Sequence, residues 1–220
     1  MQASVKELIG MKSKIKNIIF DWSGPIKNLS ENHFWVVQKM FEHLGRRNIS
    51  LRELKNNYEE PYMNFWHKYF PELTIEEEQR IYRNVLADKD RPESIPYKNI
   101  VSLVKKIKKS GCRMIVLSSD FPETILHEIK DFGLENIFDE VVHSVHDKSE
   151  IIHELIRKHD YRPGETVFVG DSSNEVEAGK NAGIKTISVT WGFTSEEKLK
   201  LASPDYLVQN VRELEKILLK

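Results

Sequence analysis

The 220 residues carry 33 basic and 34 acidic side chains spread along the chain, a formal charge of -1, so no single-sign field marks a nucleic-acid partner. The only cysteine, Cys112, excludes an internal disulfide and any cysteine-rich zinc or iron–sulfur site, and no apolar run approaches the ~20 residues of a membrane span. The length suits one α/β core with an insertion, and the absence of a signal-peptide pattern makes a cytoplasmic location the expectation.

Residues 1–10 read as a short accessory helix. The run Ile18-Ile19-Phe20, ended by Asp21-Trp22-Ser23-Gly24-Pro25, predicts a short buried strand entering a sharp loop. From residue 28 to about 96 the pattern is helical only. Phe34, Val37, Phe41 and Leu44 form an apolar stripe that stops at Gly45, and Ser50 with Glu53 and Thr74 with Glu77 have capping-box spacing. This stretch is rich in aromatics, among them Tyr58, Tyr62, Phe65 and Trp66.

Alternation then resumes. Helical patterns before Gly111, Gly133 and Gly183, and over Ile151–Ile156, separate the apolar runs Met114–Leu117, Val141-Val142, Thr166–Val169, Thr186–Val189 and Tyr206–Val208. The predicted fold class is therefore α/β, a doubly wound parallel sheet. Residues 1–27 and 97–220 form the core, and residues 28–96 form an inserted α-helical cap. In such sheets ligands bind beyond the carboxyl ends of the strands, where Asp21, Ser118 and Asp171 fall.

Four segments carry a resemblance. IIFDWSGP with Asp21, IVLSSD with Ser118, Lys148 opening KSEIIHELIRK, and VGDSSNEVEAGKNAG with Asp171 and Glu175 occur in the order found in the haloacid dehalogenase superfamily. The likeness runs from Ile18 to the C-terminus and is nearest to the branch of phosphoglycolate phosphatase and β-phosphoglucomutase, helical cap included. It implies Asp21 as a nucleophile that forms an aspartyl-phosphate, and Mg²⁺ held by Asp21, Asp171, the backbone carbonyl of Ser23 and Glu175, the last directly or through water. Ser118 and Lys148 would serve catalysis by binding a phosphoryl oxygen and offsetting charge, with Ser23, Gly24 and Ser119 also beside the substrate.

The sequence departs from the resemblance two residues after Asp21, where family phosphatases carry a second aspartate that acts as acid and base. Here it is Ser23. Pro25, where threonine is frequent, stiffens the same loop. Three readings follow. In the first, a phosphatase draws its acid/base from elsewhere; the candidate is His33, twelve residues after Asp21, whose place resembles that of a histidine in the sugar-phosphate mutase branch and whose unperturbed imidazole would exchange protons near pH ~6.5. In the second, DWSG resembles phosphonoacetaldehyde hydrolase, a C–P bond hydrolase whose cap lysine forms a Schiff base, for which Lys55 and Lys68 are available. In the third, the chain keeps a phosphate and metal pocket without turnover. Dehalogenases also lack the second aspartate, but they need no metal, and Asp171 with Glu175 speaks against them. The C-terminal segment from Thr190 resembles phosphoglycolate phosphatase-like chains, so the expected partner is a small phosphorylated molecule, with no nucleic acid and no membrane, and the chain itself is expected to be a monomer or homodimer.

Overall fold

The computed structural model describes residues 14–28, 31–59, 62–145 and 147–220; the accessory helix expected over residues 1–10 lies outside them. Six strands, β1 (Asn17–Phe20), β2 (Arg113–Leu117), β3 (Glu140–Val142), β4 (Thr166–Gly170), β5 (Lys185–Val189) and β6 (Tyr206–Val208), form one sheet. Their order is β3-β2-β1-β4-β5-β6, and every neighbouring pair is parallel. The doubly wound sheet expected from the alternating pattern is the sheet found.

The two-residue period of a strand divides the buried side chains between two cores. Ile18, Phe20, Met114, Val116, Val167 and Val169 face α5 (Ile100–Lys109), α6 (Pro122–Asp131) and α10 (Val211–Leu218). Ile19, Ile115, Leu117 and Phe168 face α7 (Lys148–Lys158) and α8 (Ser173–Asn181). Such double burial explains why the strands read as unbroken apolar runs. The chain leaves β3 at one edge and re-enters at β4 on the far side of β1, so the order reverses between β1 and β4. A crevice opens at the carboxyl ends where neighbouring connections diverge to opposite faces. Phe20 pairs with both Val116 and Val169, which brings the residues that follow β1 and β4 level with each other.

Between β1 and α5 the described residues form helices and no strand: α1 (Asn32–His43), α2 (Leu51–Asn57), α3 (Met63–Tyr69) and α4 (Ile75–Leu86). Ser50 caps α2 by accepting from Glu53 N, and Thr74 with Glu77 makes a complete capping box at α4. The buried face of α1 is Val36, Val37, Met40 and Phe41, rotated from the expected stripe, so that Phe34 and Leu44 are only partly covered. These helices have their own aromatic core, in which Phe41, Phe65 and Trp66 touch with ring centroids 5.1–6.4 Å apart. Phe193, from the segment after β5, also packs into this core and ties it to the sheet edge. Among the described residues, no helix is long and apolar enough to cross a membrane.

Candidate active site

Two strand ends and the helix after the second supply the carboxylates. Asp21 follows β1 directly and is fixed by its own backbone, whose N–H donates to the Val169 carbonyl at 2.9 Å. Asp171 follows β4, and Glu175 lies one turn into α8. All three carboxylates are buried, and one oxygen from each lies within 4.8 Å of the others.

Glu175 owes its place to local chemistry. It closes a capping box with Ser172, and its Oε2 accepts from the backbone N–H groups of Asp171 (2.8 Å) and Ser172 (3.1 Å). Its Oε1 meets Lys148, whose ammonium also donates to Asp21 Oδ1 at 2.8 Å. Lys148 opens α7, and Asp147 caps that helix by accepting from Ser149 N.

Glycine backbones hold the carboxylates close. A Cβ on Gly24, which has a φ of +109°, would lie 2.4 Å from the Asp171 carboxyl carbon, and one on Gly192 would lie 2.1 Å from Asp171 Oδ2. That same oxygen accepts from Phe193 N. Any side chain at position 24 or 192 would occupy the space of the Asp171 carboxylate.

Three buried carboxylates thus face one ammonium. Burial, then the negative charges of Glu175 and Asp171, push the Asp21 carboxyl well above the usual range, and Lys148 offsets this only in part. A buried cluster of carboxylate oxygens is the donor set that a hard divalent cation takes, so the residues present fit Mg²⁺.

A second charged cluster adjoins the first. Asp120, two residues past Ser118, accepts at Oδ2 from the hydroxyls of Ser23 (2.6 Å) and Ser118 (3.0 Å). Lys27 is buried between Asp120 (3.6 Å) and Glu128 (2.9 Å), and Glu128 also accepts from the indole N–H of Trp22 at 2.7 Å. Lys27 and the two serine hydroxyls hold the Asp120 carboxyl below its ordinary value despite burial. Both carboxylates raise the Lys27 ammonium.

A cavity of about 400 Å³ joins the clusters to the helical layer. Asp21, Ser23, Asp120, Lys148, Asp171 and Glu175 line its sheet end. The positions expected from sequence do not all reach it. Ser118 is completely buried with its hydroxyl engaged by Asp120, and Ser119 lines the cavity in its place. His33 lines the cavity edge-on to Phe193, with ring centroids 4.9 Å apart. Burial, with Lys27 adding to it, lowers its pKa to about 4, so it is neutral at cellular pH and does not titrate near neutrality as expected. Lys55 and Lys68, the lysines available for a Schiff base, lie outside the cavity lining. Lys55 contacts the Gly192 carbonyl at 3.5 Å, and Lys68 pairs with Glu59 at 2.5 Å.

Asp120, Lys27 and Glu128 were not singled out from sequence. Asp120 carried a signal, since it sits in the quoted segment IVLSSD at a strand's carboxyl end. Lys27 and Glu128 carried none, because a lone lysine in a loop and a glutamate on a helix are ordinarily solvated.

Residues 18–189 match the sequence profile described as haloacid dehalogenase-like hydrolase. The pyrophosphatase PpaX of Halalkalibacterium halodurans is 24% identical, over 91% of this chain and 95% of its own length. A haloacid dehalogenase-like family hydrolase from Streptococcus pneumoniae superposes with a TM-score of 0.77 at 21% identity, covering 91% of this chain and 96% of its own. CbbY from Rhodobacter sphaeroides, solved in complex with phosphate, does so with a TM-score of 0.70 at 23% identity, over 91% and 96% of the two chains.

Proposed function

Because the chain belongs to the haloacid dehalogenase-like hydrolases, we propose that it is a Mg²⁺-dependent phosphatase of small organic phosphates with Asp21 as its nucleophile. The observation that carries the reading is the convergence of Asp21, Asp171 and Glu175 with Lys148 at one end of an organic-sized cavity. In this reading residues 1–27 and 97–220 are the core, and residues 28–96 are the cap over its carboxyl edge.

Asp21 and Asp171 would hold the ion, with the Ser23 carbonyl as a further ligand and Glu175 behind them. When bound, Mg²⁺ supplies positive charge that neutralises phosphoryl oxygens and lets one anion attack another. A carboxylate oxygen of Asp21 forms a bond to phosphorus as the ester O–P bond breaks, and water later attacks the aspartyl-phosphate to release inorganic phosphate and restore Asp21. Lys148 holds Asp21 in place through its 2.8 Å bond and balances charge as phosphate arrives. Ser119, rather than Ser118, lies beside the substrate.

With Asp120 ionised, the Ser23–Asp120 pair serves as base in the second step, the attacking water passing its proton to the Ser23 oxygen as the Ser23 hydroxyl proton moves to Asp120, and the departing alkoxide takes its proton from solvent water. Ser23→Asp alone is therefore expected to give no gain in kcat. It would drive a second carboxylate against Asp120, where Ser23 Oγ now sits 2.6 Å from Oδ2. Ser23→Asp combined with Asp120→Asn is expected to exceed Ser23→Asp alone by ~10²-fold. Equal rates for the single and double variants would count against a shared role for these two positions.

The direct test of the activity is a phosphatase panel that includes p-nitrophenyl phosphate, run with Mg²⁺ and with excess chelator. Hydrolysis that needs Mg²⁺ is the expected result. Phosphate release indifferent to chelator would overturn the metal assignment, and no release from any ester would overturn the phosphatase reading.

A further inference from the structure

The helical end of the cavity has a chemical character of its own. Its walls include Tyr58, Phe65, Trp66 and Met40, and Glu78 of α4 lines it as a carboxylate only 4% exposed. Glu78 shares its helix face with Ile81 and Val85, so an acid occupies a position that the helix pattern reserves for the core. Tyr62 and Trp66 hydrogen-bond to it, but among the described residues no cation pairs with it, and burial raises its pKa to about 7.

Positive charge is spoken for elsewhere in the cavity. Among the described lining residues the lysines are Lys27 and Lys148, each already between two carboxylates, and there is no arginine. His33 is neutral. A substrate with a second anionic group, such as the carboxylate of a glycolate ester or a second phosphate, would place that group near aromatic rings and an acid with no counter-charge. An ammonium group would meet the reverse, since aromatic faces and a carboxylate are the two surroundings that attract a desolvated organic cation.

Resting on the phosphatase reading for its phosphate end, we propose that the substrate class is an amino-alcohol phosphate monoester, bound with its phosphate at Asp21 and its ammonium against Glu78 and the aromatic wall. Glu78 is then a specificity-determining residue, and the helical layer selects against substrates with a second anionic group, which the core alone would accept.

The test separates the cavity from the chemistry. Binding of three alcohols without phosphate, choline, its neutral carbon isostere dimethylbutanol, and glycolate, is measured by calorimetry on wild type. Choline is expected to bind about tenfold more tightly than the isostere, with glycolate weakest. In Glu78→Gln, choline is expected to fall to the level of the isostere. Equal binding of choline and isostere, tighter binding of glycolate, or no binding of any of the three overturns the proposal. Phosphocholine, dimethylbutyl phosphate and p-nitrophenyl phosphate are then compared by kcat/KM, with the same tenfold preference expected for phosphocholine. Selective choline binding with no ester hydrolysed would sink the phosphatase reading and leave the cavity assignment standing. Hydrolysis of the aryl ester without any preference for choline would do the opposite.

Discussion

Asp21→Asn is expected to lower kcat for every phosphate ester by at least ~10⁴-fold while leaving the fold as stable as before or more so. The amide matches the carboxylate in shape but cannot attack phosphorus. It also removes one of three negative charges crowded around Lys148, where Asp21 and Glu175 share a single ammonium. A residue that acted as a structural ion-pair partner would behave differently, because its loss would strand a buried lysine and lower the melting temperature. Steady-state rates and thermal unfolding in metal-free buffer, measured on one preparation, distinguish the two. Retained turnover would place the nucleophile elsewhere, and a large drop in stability would make Asp21 a structural residue first.

Lys27→Met is expected to destabilise the protein by ~3–5 kcal/mol, the usual cost of removing one partner from a buried ion cluster. Methionine fills much the same volume, so packing is largely conserved, but Asp120 and Glu128 are left without the ammonium that lies 3.6 and 2.9 Å from them. Glu128 keeps the Trp22 indole N–H as a donor, and Asp120 keeps Ser23 and Ser118. Hydrogen bonds from neutral donors do not replace a unit charge at this depth. Adding Glu128→Gln should recover a substantial part of the loss by removing one stranded charge. Urea unfolding of the single and double variants reads this directly, and a change below ~1 kcal/mol in Lys27→Met would mean that water reaches the cluster. The cluster also anchors the loop after β1, since Lys27 lies six residues beyond Asp21 and Trp22 stacks on Phe132 with ring centroids 5.5 Å apart. Instability there is expected to reach catalysis as well.

Asp21 and Lys27 differ in how far the sequence reveals them. Asp21 and Asp171 are identifiable from the chain alone because the pattern that places them is local. A short apolar run predicts a strand, alternation with helices predicts a parallel sheet, and such a sheet collects the residues after its strands on one edge. Glu175 was legible as the matching position of a motif, and its capping box with Ser172 depends only on residues three apart. Lys148 was legible as the opening residue of a helix within a quoted motif. Ser118 was legible as a residue at that edge, but not in its orientation, because a hydroxyl turns toward whichever acceptor is near, and Asp120 Oδ2 lies 3.0 Å away.

What the sequence determined by itself is therefore the sheet, the edge on which the acidic residues meet, and the loss of the usual carboxylate at position 23. Only the tertiary structure decided which side chains surround that position. Ser23 meets Asp120 across 97 residues, and Trp22 meets Glu128 across 106. It also decided that His33 is walled in and neutral, and that Glu78 turns inward among aromatics. The physical reason is one of range. Strand and helix patterns are set by backbone hydrogen bonds and side-chain periods over a few residues, whereas the charge state and partners of a buried side chain depend on distant elements that packing brings against it.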